Sequence, residues 1–195
     1  MRIVSSLLPR SLAQHLRRAY DALYCKAEPD KETIGSFSQW TIVTRHMRPD
    51  AVIYSGGVGG DISFEEELIR RFGVKIHIFD PAEIALHTVE RANNDRLLFQ
   101  PLGLAASTQA KASVGGRNGD KTWLRAGGSS TILCTTLPAE LKKNGHTSID
   151  LLKMDIEGFE YEVLENCVSA HIPISRYASS STTFILRFPR RKQPR

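Results

Sequence analysis

Between an apolar run at residues 51–54 and a stretch of helical period at residues 63–72 stand Gly56, Gly57, Gly59 and Gly60, four glycines in five positions. Glycine accepts left-handed backbone and leaves no Cβ in the way of a close neighbour, so this spacing predicts a strand, a tight turn and a helix in succession. On the helix, Phe64, Leu68 and Phe72 share one face, and Gly73 stands where a left-handed cap would end it. A second strand is predicted at 75–79, where Ile76 and Ile78 alternate with Lys75 and His77, and Asp80-Pro81 opens a helix over 84–92.

The same rhythm continues. A third strand is expected at 97–104, interrupted at Pro101, followed by a polar stretch at 107–130 with no clear period. A fourth, nearly continuous apolar strand is expected at 148–154, then a helix at 157–167 with Tyr161, Leu164 and Val168 on one stripe. Strand and helix in alternation define an α/β chain: an open, mostly parallel sheet with helices on both faces and right-handed crossovers. A fifth strand is expected at 184–188.

The chain has 195 residues, 41% hydrophobic and 24% charged, which suits one core of ordinary size. Three segments are read from its texture: an N-terminal helical segment at 1–30, the domain proper at 31–174, and a basic tail at 175–195. The net charge of +5 belongs to the tail, because Arg187, Arg190, Arg191, Lys192 and Arg195 fall within the last nine residues without an acid. No interleaved aromatics or reading module accompany them, so nucleic acid is disfavoured as a partner. No apolar run reaches the length of a membrane span. The first twenty residues lack Asp and Glu and carry Arg2, Arg10, Arg17 and Arg18, the texture of a transit peptide and equally of an amphipathic helix. The helix and a cytoplasmic address are preferred. Cys25, Cys134 and Cys167 lie far apart with no C-x-x-C pair and are read as buried thiols, with no metal site.

In such a sheet ligands bind beyond the carboxyl ends of the strands, so the residues there are the candidates. Counting G-x-G-x-x-G from Gly57 puts Gly59 correctly but Ile62 in the third glycine's place, which argues against a dinucleotide. Asp80 follows Gly57 by 23 residues, close to the spacing of an acid that accepts ribose hydroxyls. Asp155, Glu157 and Glu160 crowd the end of the fourth strand, where a cationic ligand such as a sulfonium would suit them; Glu160 is better read as a first-turn helix acid. The stretch 115–122 approaches a phosphate loop but puts Asp120 where the second glycine belongs, and is read as a polar loop. Neither H-E-x-x-H nor G-x-S-x-G occurs.

Three segments taken together resemble the FkbM-type methyltransferases, a branch of the S-adenosylmethionine-dependent superfamily: VIYSGGVGGDISFE at 52–65, HIFDP at 77–81 and DLLKMDIEG at 150–158. The resemblance implies a Rossmann-like fold, S-adenosylmethionine as methyl donor and an oxygen acceptor, a small molecule or glycan. It implies that Ser55, Gly56, Gly57, Gly59 and Asp61 belong to the cofactor loop, that Asp80 holds the ribose, and that Asp155 faces the methyl site with Glu157 behind it. Ser55 departs from the family pattern, in which many members carry an acid that helps hold the cofactor's ammonium; either Asp61 or a water is then expected to take that task, or affinity is reduced. Residues 175–195 depart further, so the last strands of the sheet are expected to be truncated or replaced. The alternative reading is an inactive or truncated cofactor-binding or interaction protein of the same fold. A nicotinamide-dependent oxidoreductase is the third.

Overall fold

The structure, a computed structural model, describes residues 30–45, 47–115 and 123–179. The N-terminal segment, Cys25, the phosphate-loop-like stretch at 116–122 and the strand expected at 184–188 lie outside those residues. The described residues begin with a two-stranded unit, β1 (Lys31–Ile34) and β2 (Trp40–Val43). The expected alternation follows: β3 (Val52–Gly56), α1 (Ser63–Phe72), β4 (Lys75–Phe79), α2 (Glu83–Ala92) and β5 (Leu97–Gln100). After it come β6 (Gly103–Leu104), β7 (Gln109–Gly115), β8 (Trp123–Ala126), β9 (Ser130–Thr135) and α3 (Leu137–Asn144). The last described elements are β10 (Leu151–Met154), α4 (Glu160–Ser169) and β11 (Tyr177–Ser179).

Five strands form one parallel sheet in the order β11-β10-β3-β4-β5. From β3 the chain first builds outward through β4 and β5, then returns to build β10 and β11 on the other side. That reversal places a topological switch point between β3 and β10. The register aligns Met154 with Gly56 and Gly56 with Phe79, so the three central strands end level.

Both faces of the sheet are covered, and successive residues serve opposite layers. Ile53, Ile76, Ile78 and Leu151 pack with Phe64 and Leu68 of α1 and Ala85 and Val89 of α2. Tyr54, Phe79, Leu152 and Met154 pack with Leu137 and Leu141 of α3 and Val163 and Cys167 of α4. Burial raises the thiol of Cys167 to about 12 and that of Cys134 to about 11, so both stay protonated at neutral pH.

Several expectations are corrected. The run 97–104 is two strands in two sheets, because Pro101 brings no N–H and Leu102 turns back to donate to the Gln100 carbonyl at 2.8 Å. The polar stretch 107–130 contains β7 and β8 and leads into β9; with β6 they form a second sheet, β6-β9-β7-β8. Its inner face carries many small residues, with Ala112 and Cys134 buried and Ala110, Ala126 and Ile132 packed beside them, so little apolar rhythm marks it. α4 begins at Glu160 rather than Glu157, because Glu157 and Gly158 take positive φ angles of 54° and 108°. Its inward stripe is Val163 and Cys167, while Tyr161 and Val168 are exposed. Within the segment read as a tail, Tyr177–Ser179 forms β11 and pairs parallel with β10.

Candidate functional site

The level strand ends of β3, β4 and β10 open into a cavity of ≈ 200 Å³. Gly57, Val58 and Gly59 come to it from the end of β3, Asp80 from the end of β4, and Lys153 and Asp155 from β10. Leu104 and Ile132 come from the second sheet, and Ser38 and Trp40 from the first hairpin.

Four glycines make the loop, but they serve different ends. Gly57, at φ 73°, passes against the Asp155 backbone: a Cβ there would lie 1.9 Å from the Asp155 carbonyl oxygen. Gly56 meets Leu104 and Ile156 in the same way. Gly59, at φ 54°, has nothing within 4 Å of where its Cβ would stand, and it lines the cavity. Of these three, Gly59 alone offers bare backbone to a ligand.

Asp80 is buried, and both of its oxygens are engaged. Oδ2 accepts the N–H groups of Val58 and Gly59 at 2.9 Å each, and Oδ1 accepts that of Ala82 at 2.8 Å. The acid therefore shapes the glycine loop and closes the turn that leads into α2. Lys153 lies against the loop's other side, its Nζ donating to the Gly57 carbonyl.

Of the residues singled out in the sequence, Gly57, Gly59, Asp80, Asp155 and Glu157 share this cavity, and Ser55, Gly56 and Asp61 do not line it. Ser55 is buried beneath the loop, where its hydroxyl donates to Glu65 Oε1 at 2.6 Å. Asp61 faces the hairpin: Oδ2 accepts the Ser38 N–H at 2.7 Å and Oδ1 the Ser63 N–H at 2.9 Å. Burial raises the Asp61 pKa, but these bonds from Ser38 and Ser63 outweigh it and hold the carboxyl below its usual range. Asp155 donates its N–H to the Gly56 carbonyl at 2.9 Å, and the Glu157 carbonyl accepts the N–H of Ala126, which ties the strand end to the second sheet. Glu160 accepts the N–H groups of Ile156 and Gly158 at 2.9 Å, so it closes the turn before α4, as the helix-acid reading expects.

Sequence reasoning missed Lys153, Glu65 and Trp40. A lysine inside the apolar run Leu151, Leu152, Met154 was the available signal, since a strand covered on both faces has no solvated side for it. Trp40 comes from a hairpin that carries no motif. Its indole Nε1 is buried and has no hydrogen-bond partner among the described residues. No group of three or more His, Cys, Asp or Glu among the described residues is placed to hold a metal ion, and no helix there is long and apolar enough to cross a membrane.

A three-layer α/β sheet with a glycine loop at its switch point and acids at the neighbouring strand ends defines the Rossmann-like class of α/β folds. Within that class the FkbM methyltransferase domain matches residues 54–178, more than half of the chain, and the chain belongs to that family. No curated protein and no solved structure matches it.

Proposed function

We propose that the chain transfers a methyl group from S-adenosylmethionine to an oxygen of a small-molecule or glycan-type acceptor. The observation that carries this reading is the meeting of Gly59, Asp80 and Asp155 in one cavity at the switch point. The residues suit that cofactor. Gly59 leaves an open cradle for its methionine part, and Oδ1 of Asp80, which accepts one N–H, keeps a lone pair for a ribose hydroxyl. Asp80, Asp155 and Glu157 outnumber Lys153, whose charge Glu65 meets, and leave the wall a negative field that favours a sulfonium. The buried Trp40 N–H is a donor in want of an acceptor.

When bound, the cofactor supplies an electrophilic methyl group on sulfur. The protein's part is to align the acceptor within near-attack distance, exclude water with Leu104, Ile132 and Phe159, and hold the acceptor's proton on Asp155, with Glu157 behind it. A surplus carboxylate is not available from Asp61, which is occupied by Ser38 and Ser63.

Calorimetric titration with S-adenosylhomocysteine, with NAD as the control ligand, tests the reading. Saturable binding of the first and none of the second is expected. Binding of NAD alone would point to an oxidoreductase, and a folded chain that binds neither would return the fold to an inactive or interaction role.

A further inference from the structure

A buried ion pair lies beneath the glycine loop. Lys153 and Glu65 stand 3.8 Å apart with side chains 4% and 1% exposed. Desolvating two charges costs more than a well-packed apolar pair would, and Leu151, two residues earlier on the same face of β10, shows that an apolar side chain fits such a position. The pair therefore needs a reason other than stability. Lys153 Nζ has two further contacts: it donates to the Gly57 carbonyl and lies 4.9 Å from the centroid of the Trp40 ring. The Gly57 carbonyl belongs to the same peptide unit as the Val58 N–H, which Asp80 Oδ2 accepts at 2.9 Å. A cation from β10 and an anion from the end of β4 thus hold the two poles of one peptide, and that peptide cannot rotate without losing both.

We propose that Lys153 is a positioning residue for the candidate cofactor site. With Glu65 as its counter-ion, it fixes the orientation of the Gly57–Val58 peptide and holds Trp40 of the hairpin against the loop, so the ligand-facing backbone at Gly59 is set before a ligand arrives. This rests on the reading of the loop as a cofactor loop. Preorganisation of this kind raises affinity by removing the ordering cost from the binding step.

The test compares the wild type with Lys153→Met, Glu65→Gln and the double variant by three readouts: melting temperature, hydrogen exchange at the Val58 and Gly59 amides, and titration with S-adenosylhomocysteine. Each single variant leaves one buried charge unpaired and is expected to melt lower. The double variant leaves none and is expected to recover most of that loss. In both variants that lack Lys153 the two amides are expected to exchange about tenfold faster and the ligand to bind about tenfold more weakly, the size of one lost bond to a charged group. A double variant with wild-type protection and affinity overturns the proposal, because Lys153 would then be a structural charge alone. Should the wild type not bind S-adenosylhomocysteine, the cofactor reading fails, and the exchange comparison still decides whether Lys153 orients the loop.

Discussion

The Cα of Gly57 and the carbonyl of Asp155 are in such close contact that no side chain fits between them: a Cβ on Gly57 would meet the Asp155 oxygen at 1.9 Å. Both partners are backbone at the ends of adjacent strands, so neither can swing aside. Gly57→Ala is expected to abolish folding or to cost several kcal/mol, on the order of the largest single-site effects. Gly59→Ala meets no atom and carries only the left-handed backbone penalty, about 1 kcal/mol. Denaturant melts of the two variants check the contrast, and equal losses would contradict the division of labour between the two glycines.

Asp80 sits where three backbone N–H groups converge. Asp80→Ala removes all three acceptor contacts and leaves buried donors behind, so a loss of about 3 kcal/mol or more is expected. Asp80→Asn keeps one carbonyl acceptor and should cost less. Urea denaturation that places the two variants in the opposite order would show that Asp80 does not hold the loop through its oxygens.

His77 stacks on Tyr54 at 4.8 Å between ring centroids and faces the His146 ring at 5.3 Å, with Glu140 and Lys143 nearby. Burial lowers its pKa from the usual 6.5, and the like charge of His146 adds to the effect. The folded state therefore favours the neutral ring. Its stabilising share is whole above pH 6.5 and is lost as pH falls from there through the lowered value, since the unfolded chain takes up the proton first. His77→Phe keeps a ring for Tyr54 and should flatten the decline below pH 6.5. Melting curves across that range test this, and an unchanged slope in the variant would assign the pH dependence elsewhere.

Asp155→Asn preserves the side chain's size while removing its charge and its capacity to hold a proton. Turnover with any acceptor is expected to fall by about a hundredfold or more, with S-adenosylhomocysteine still bound. Single-turnover rates alongside calorimetry separate the two effects, and an unchanged rate would remove Asp155 from the chemistry.

The parts of the fold that were legible in the sequence are those whose residues have one dominant cause. β3 and β10 are largely apolar runs buried on both faces, β4 alternates Ile76 and Ile78 with Lys75 and His77, and α1 ends at Gly73, whose φ of 67° is the left-handed cap its position predicts. α3 carried signals just as plain, which were passed over. Thr136 accepts the Ala139 N–H, Pro138 stands in the first turn, and Gly145 closes the helix at φ 70°. The second sheet was hidden because Ala110, Ala112 and Ala126 take much of its inner face while Leu133 points out, which weakens the usual link between size and burial. In the site, Gly57, Gly59, Asp80, Asp155 and Glu157 were legible because each follows a strand end. Trp40 and Glu65 reach the loop only by tertiary packing, and no local pattern announces that.

The wall that the second sheet gives the cavity comes from one uninterrupted stretch of chain, since Gly103, Leu104 and Ile132 all fall between β5 and α3. The glycine loop, Asp80 and Asp155 come from three separate strand ends. Replacing 103–135 as a single cassette therefore reshapes one side of the chamber while the strand ends keep their native sequence. An engineer seeking to change what the chamber holds would vary that cassette as one library.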